Sequence, residues 1–420
     1  MKIIVSQIGK QHTNALLIAL VKHNALTRFF TSIAGNKITA AKYLGNKVGS
    51  KFKKLNFSGI EKDKIIHFPF IAITRKIKPD EYWVTKNANK WFDALVAKHL
   101  KKADFDIFIG YENANLLSYK VVKERGKITV LDLASVHHTF QNPVLTEVGE
   151  YKNQVKLDFI SNRKAQAYAL TDYIISISSF AEKTLIDSGF PADRIYKTYL
   201  GVNHSVFKPK QKYNTESSQK VFELYFVGTL SYRKGLPFII EMLETLKSKG
   251  LSIRLTLIGP AADYDIPKID ESYFRYFPFL SHADLVKMHH DLDLFIFPSN
   301  IDSWAQVVIE AMACGSPVLV SENTGAKDAV VQGGGFVLPV GDLSAWVKAI
   351  EYFYNDRSTL QKVGEEAAKI AMQYTWESYH EQIFDVMTDI YKKSYEQSAM
   401  SNEPSPNSKL IAHSSLLKAN

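Results

Sequence analysis

Cysteine is almost missing from this chain: among its 420 residues only Cys314 carries a thiol. One thiol makes no internal disulfide and no multi-cysteine zinc site, which suits a reducing cytoplasm. Long apolar runs are missing too. No eighteen consecutive apolar residues occur, so no segment is expected to cross a bilayer as a helix. The opening MKIIVSQIGKQH turns polar too soon for a secretory signal. The turn after its first apolar run, IGKQHTNALL, is not the GxGxxG fingerprint, which argues against a nicotinamide or flavin cofactor. No cofactor is expected.

Acidic residues are absent from one region. Residues 1–60 hold ten Lys or Arg and no Asp or Glu, while the rest of the chain carries 42 basic and 43 acidic residues. The net charge of +9 is therefore local. Within residues 37–55, Leu44, Val48, Phe52 and Leu55 fall at helical spacing among lysines. Such a basic amphipathic segment is able to lie on an anionic membrane, at about 1 kcal/mol per basic residue, or simply to be a solvated surface helix. No nucleic-acid-binding signature accompanies the charge, so no nucleic acid partner is expected.

A hydrophobic fraction of 46% with 12% aromatics supports packed globular domains, and the length allows two or three. Short apolar strands alternate with amphipathic helices, the pattern of doubly wound α/β domains. Strands are expected at Lys2–Gln7, Asp106–Gly110, Thr129–Leu133 and Tyr173–Ser176, with helices over Thr13–Lys22 and Ser178–Ser188. The polar, aperiodic stretch up to Lys220 reads as a linker over 201–220 between a first domain, 1–200, and a second, 221–375. In the second, strands are expected at Glu223–Gly228, Arg254–Ile258, Asp293–Phe297, Pro317–Val320 and Gly335–Leu338. A helix over 376–395 and a Ser- and Asn-rich disordered tail over 396–420 close the chain.

Several stretches carry chemistry. In DSWAQVVIEAMACGSP, Asp302 and Glu310 bracket the start of a helix that Ser303 could cap and Gly315 could end. The N–H groups of Trp304, Ala305 and Gln306 would then face an anion such as phosphate. By itself the stretch also suits an ordinary capped helix with a solvated Glu310. In FVGTLSYRKG, a strand ending at Gly228 leads to Arg233 and Lys234, two cations suited to a diphosphate. Gly9 would allow a tight turn after the first strand, with Lys10 and His12 near the cleft. His137 and His138 follow a strand end; adjacent side chains diverge, so one of them would face a ligand. Asp-x-Asp triplets at Asp104–Asp106, Asp263–Asp265 and Asp291–Asp293 read as strand entries or turns rather than metal ligands, and Cys314 as buried filler. No metal site is expected.

Together these segments, in collinear order with LTLIGP and FLSHADLVKMHHDLDLFIFPS, resemble glycosyltransferase family 4, retaining enzymes of GT-B architecture. The resemblance implies two Rossmann-like domains facing a central cleft, and a nucleotide-sugar donor. It implies that Glu310 binds the ribose, Asp302 the transferred sugar and Lys234 the diphosphate. Trp304, Ala305, Gln306 and Val307 would offer backbone N–H groups, Leu280 and Ser281 would meet the base, and His137 or His138 would sit near sugar and acceptor. Two departures stand out. Thr229 replaces the family's Arg after the strand glycine, with Arg233 as substitute, and Asp302 replaces a Glu. The expected activity is sugar transfer, metal-independent, to a saccharide or lipid-linked acceptor in cell-surface polysaccharide or glycolipid synthesis, at the inner face of the membrane. A non-catalytic sugar-binding subunit or a nucleotide-sugar epimerase are the alternatives.

Overall fold

A computed structural model of the chain describes residues 1–9, 11–37, 56–77, 81–150, 154–215, 221–264, 266 and 272–401. Lys10 and nearly all of the 37–55 segment lie outside them; Lys37 itself is tied down, its Nζ donating to the Ile65 carbonyl at 2.7 Å.

Apolar runs such as IIVS, IFIG, YIIS and LFIF have no polar face, and each becomes a strand buried on both sides of a parallel sheet. The first sheet contains β1 (Ile3–Ser6), β2 (Leu26–Thr31), β3 (Ile65–His67), β4 (Ile107–Gly110), β5 (Ile128–Leu133), β6 (Tyr173–Ser176) and β7 (Ile195–Lys197). Its order is β3-β2-β1-β4-β5-β6-β7. The second contains β8 (Phe222–Val227), β9 (Ile253–Ile258), β10 (Phe274–Phe277), β11 (Leu294–Phe297), β12 (Val318–Ser321) and β13 (Gly335–Leu338), ordered β10-β9-β8-β11-β12-β13. Each sheet is doubly wound, so strand order reverses between β1 and β4 and again between β8 and β11. Loops diverge at those points and open a crevice at the carboxyl ends of the strands.

The sequence does not reveal β2, β3, β7 and β10. The last three are short, sit at or next to a sheet edge, and carry His67, Lys197 or Arg275; β2 holds Arg28 in its middle. Partly solvated strands lose the continuous apolar run.

The predicted linker is not a free tether. Val202 N–H donates to the Tyr374 carbonyl at 2.9 Å, Phe207 is buried against His282 and His289, and buried Lys210 donates to the Leu292 carbonyl at 3.0 Å. Burial pulls the Lys210 pKa down to about 8. The chain crosses here twice, since Gly201 runs against the backbone of Thr375 and Trp376 with no room for a Cβ. The last helix, Trp376–Ser401, then returns to the first domain and packs on helix Thr13–Lys22, with His23 stacked on Phe384 at 3.7 Å. It extends through Glu396–Ser401, although the composition of that stretch predicts a disordered tail; residues 402–420 lie outside those described.

Candidate active site

Strand β8 ends at Val227 and the loop Gly228–Gly235 follows at the reversal of strand order. Ser231 Oγ accepts the Lys234 N–H at 3.3 Å and winds Tyr232–Lys234 into a short 3-10 turn. Gly235 leaves that turn at φ +76°, and a Cβ there would run into the Pro298 carbonyl, so only glycine lets this loop pass the end of β11. The result aims buried Lys234 at Asp302, to which its Nζ is ion-paired, while the Phe297 ring lies 4.9 Å below the ammonium. Arg233 donates to the Ile301 carbonyl at 3.2 Å and lies 3.5 Å from Glu150 of the first domain.

Asp302 does more than the sequence suggests. Its Oδ1 accepts the N–H groups of Trp304 at 3.0 Å and Ala305 at 2.7 Å. Burial opposes its charge, but Lys234 and these N–H groups outweigh it and hold the carboxyl below the usual range. Ser303 does not cap the helix; its Oγ donates to the Ala134 carbonyl of the first domain at 2.9 Å. The helix runs Gln306–Ala313 from Ala305, which sits at φ +61°, a left-handed conformation costly for a residue with a Cβ. With two N–H groups already taken, the end of the helix leaves those of Gln306 and Val307 for an anion. Gln306 Nε2 donates to the Gly201 carbonyl at 2.9 Å, and the buried Trp304 ring lies between Tyr199 and Tyr374. As expected, Gly315, at φ +78°, ends the helix.

Glu310 lies on the first turns of that helix, half-buried, with no hydrogen-bond or ion-pair partner among the described residues. Burial raises its pKa to about 7. It is not a solvated helix residue.

Across the cleft, β5 ends at Leu133 and Ala134–Val136 leads to His137, whose Nδ1 caps helix His138–Glu147 by accepting from Thr139 N–H at 3.4 Å. The two imidazoles do not diverge. Their centroids are 4.5 Å apart, and both lie against the Tyr168 ring. Each residue is 7% exposed. Burial, with the neighbouring imidazole and Lys164, lowers the His137 pKa to about 4, and burial with Lys164 lowers that of His138. Both are neutral at neutral pH. Val136 and Ile301 share one buried cluster, so the β5 and β11 loops meet directly.

Two expectations fail locally. Gly9 has no positive φ and open space where a Cβ would go; the left-handed residue in that turn is Gln11. The His12 imidazole is not free in the cleft but bound to Asp132 at 2.9 Å. The Ser281 side chain caps helix His282–Asp291, accepting the Asp284 N–H at 3.2 Å, and the Leu280 side chain packs on the core; neither contact involves the backbone expected to meet a base. The sequence reading missed the first-domain network altogether. Glu112 accepts from Lys164 and Tyr168, each at 3.1 Å, beside the histidines. Its position just past the end of β4 was the available signal. Among the described residues no group of three or more His, Cys, Asp or Glu is placed to hold a metal ion. No described helix is long and apolar enough to cross a membrane.

Comparison with known proteins agrees with this architecture. Residues 207–370 match the family described as glycosyl transferases group 1. The capsular polysaccharide biosynthesis glycosyltransferase CapM of Staphylococcus aureus is 26% identical over 235 residues, 51% of this chain and 61% of that protein. The D-inositol 3-phosphate glycosyltransferase of Arthrobacter sp. (strain FB24) is 26% identical over 203 residues, 43% of this chain and 48% of that one. The matches thus span about half to three fifths of these relatives. Among solved structures, sucrose-phosphate synthase from Thermosynechococcus elongatus superposes with a TM-score of 0.65 at 16% identity, covering 94% of this chain and 100% of that one. Anabaena Alr3699/HepE in complex with UDP-glucose gives 0.60 at 16% identity, covering 93% and 100%. The two doubly wound sheets, with a cationic loop facing a carboxylate across the second switch point, thus share the fold of these glycosyltransferase structures, and residues 207–370 are similar to glycosyl transferases group 1.

Proposed function

We propose that the chain is a retaining, family 4 enzyme that transfers a hexosyl group from a nucleotide sugar to a saccharide or lipid-linked acceptor, without a metal ion. Its place would be cell-surface polysaccharide or glycolipid synthesis at the cytoplasmic face of a membrane, with basic residues 37–55 toward that surface. The observation that carries the reading is Glu310: a half-buried carboxylate without a partner among the described residues, on the helix that starts beside Lys234. Two ribose hydroxyls would satisfy it. UDP-glucose in the Anabaena neighbour and the capsular polysaccharide role in the name of the Staphylococcus aureus relative support the donor and pathway classes.

In this reading Lys234 and Arg233 bind the donor diphosphate, and the N–H groups of Gln306 and Val307 add partial positive charge. As the bond from the sugar C1 to the diphosphate oxygen breaks, negative charge grows on the leaving group, where these donors are already in place. Asp302 positions Lys234 and the Trp304–Ala305 backbone and offers its carboxylate to the sugar. Neutral His137 and His138 border the sugar and the acceptor. The acceptor hydroxyl attacks from the face the diphosphate leaves, which retains the anomeric configuration.

The test is a donor panel with transfer and hydrolysis readouts, alongside calorimetry with nucleoside diphosphates. Lys234→Ala should lower turnover on the order of 10²–10³-fold, the scale for removing one preorganised charge-stabilising donor. A wild-type protein with neither turnover nor nucleoside diphosphate binding would overturn the proposal.

A further inference from the structure

The histidine pair is held from one side by three residues to which the transfer chemistry gives no part. Lys164 and Tyr168 stand one turn apart on helix Gln154–Tyr168, at i and i+4, and so project from one face of it. Both reach Glu112, just past the end of β4. Lys164 Nζ donates to Oε2 and the Tyr168 hydroxyl to Oε1, each at 3.1 Å, so each carboxylate oxygen has one partner. Lys164 and Tyr168 are 8% and 9% exposed. An ion pair this far from water is weakly screened, and its charges act on whatever is packed beside it.

The imidazole pair is what lies there. The Tyr168 ring is 4.6 Å from that of His137 and 5.9 Å from that of His138, centroid to centroid. Other elements fix His137 further: its backbone N–H donates to Thr184 Oγ1 at 3.0 Å, and its Nδ1 meets Thr139 Oγ1 at 2.7 Å. His138 instead lines an open groove between helices His138–Glu147 and Gln154–Tyr168. Among the described residues, the titratable groups facing each imidazole are the other imidazole, Lys164, Glu112 and Tyr168. The Lys164 ammonium disfavours an imidazolium at both histidines, and the Glu112 carboxylate favours one at His138. As the C1–oxygen bond of the donor breaks, the sugar becomes electron-poor. An imidazolium beside it would oppose that charge, whereas a neutral imidazole still offers one N–H and one lone pair to hydroxyls.

We propose that Glu112, Lys164 and Tyr168 are positioning residues for the reaction: Tyr168 fixes where the two imidazoles stand, and Lys164, anchored by Glu112, keeps them uncharged beside the reacting sugar. The charge state of the pair follows from the geometry of the clamp; its part in transfer rests on the glycosyltransferase reading.

The test is an NMR titration of the full chain with isotope-labelled histidine, in which His137→Gln and His138→Gln assign the two signals. Lys164→Met should move both titrations up, and Glu112→Gln should move that of His138 down, each by at least about half a pH unit. The two substitutions break the same ion pair, so mere loosening would admit water and move His138 upward in both. Lys164→Gln, which keeps a polar head in the clamp, should follow Lys164→Met. Upward shifts of His138 in both Lys164→Met and Glu112→Gln would overturn the proposal. So would unmoved titrations in both Lys164 variants, or wild-type imidazoles that titrate at the ordinary histidine value. At saturating donor, the ratio of Lys164→Met kcat to wild-type kcat should fall at least about twofold from pH 7.5 to 5.5. A constant ratio with shifted titrations would overturn the part in transfer. Wild type that neither transfers sugar nor binds a nucleoside diphosphate, with the titrations as expected, would instead overturn the glycosyltransferase reading.

Discussion

Glu310 places a titration in the physiological range. Its pKa stands at about 7 because burial penalises the charge and no partner among the described residues offsets that penalty. Only the ionised form accepts from two ribose hydroxyls at once. Nucleotide affinity should therefore fall as pH drops from 8 to 6, and Glu310→Gln should bind more weakly at pH 8 with a flat profile; calorimetry across that range checks both. The same shift sets a stability sign. A carboxyl raised from 4.5 to about 7 stabilises the fold fully below pH 4.5 and loses that contribution as pH rises through 7. Glu310→Gln should therefore be more stable than wild type at pH 8, by at most about 3 kcal/mol, with the gap closing toward pH 4.5 in urea titrations. Opposite Glu310, Asp302 shows why a motif spacing does not assign a role by itself. Two carboxylates eight positions apart differ completely, one engaged by Lys234 and two N–H groups and the other by no side chain or N–H group among the described residues.

Among the elements, the loop between β8 and helix Leu236–Ser248 depends on one residue. Gly235 combines φ +76° with contact to the Pro298 carbonyl, so Gly235→Ala meets both a strained backbone and a clash with main chain. We expect a loss of at least about 1–3 kcal/mol, read by denaturation, with a larger proportional loss of nucleotide binding because Lys234 precedes it. Unchanged affinity would separate the loop from donor binding. The elements nearest the site were legible to very different degrees. The β8 and β11 strands, LYFV and LFIF, are long apolar runs flanked by Gly, Pro or Asp, and their ends identified both loops. The start of helix Gln306–Ala313 was misread. Ser303 and Asp302 are both good caps, and local sequence does not say which one the first domain takes; the Ala134 carbonyl claims Ser303.

For the whole molecule, the last helix belongs structurally to the first domain. Tyr379, Ile383, Met387 and Ile390 on that helix are fully buried. Ile383→Ala should cost about 2–5 kcal/mol by the lost transfer energy and the cavity left behind. Its effect should appear as faster amide exchange in β1 and helix Thr13–Lys22, not in β8–β13. Exchange that speeds up only in the second sheet would contradict this packing. Contacts across the cleft are apolar as well as polar, since Ile301 shares a buried cluster with Val136, Leu145, Phe180 and Ala181. Besides Ser303–Ala134 and Arg233–Glu150, the Ser179 N–H donates to Asp328 at 2.7 Å.

The sequence by itself determined the class of the fold, and it picked out the cationic Arg233–Lys234 loop and the Asp302–Glu310 pair. Each of these lies within one continuous stretch, where hydrophobic period and turn chemistry act over a few residues. Tertiary structure alone decided which carboxylate is free among the described residues, that His12 is spoken for by Asp132, and that His137 and His138 lie together against Tyr168. Those outcomes depend on groups tens to more than a hundred positions apart in the chain. Their burial and pairing set the charge each group can carry, and neither can be read from neighbours in sequence.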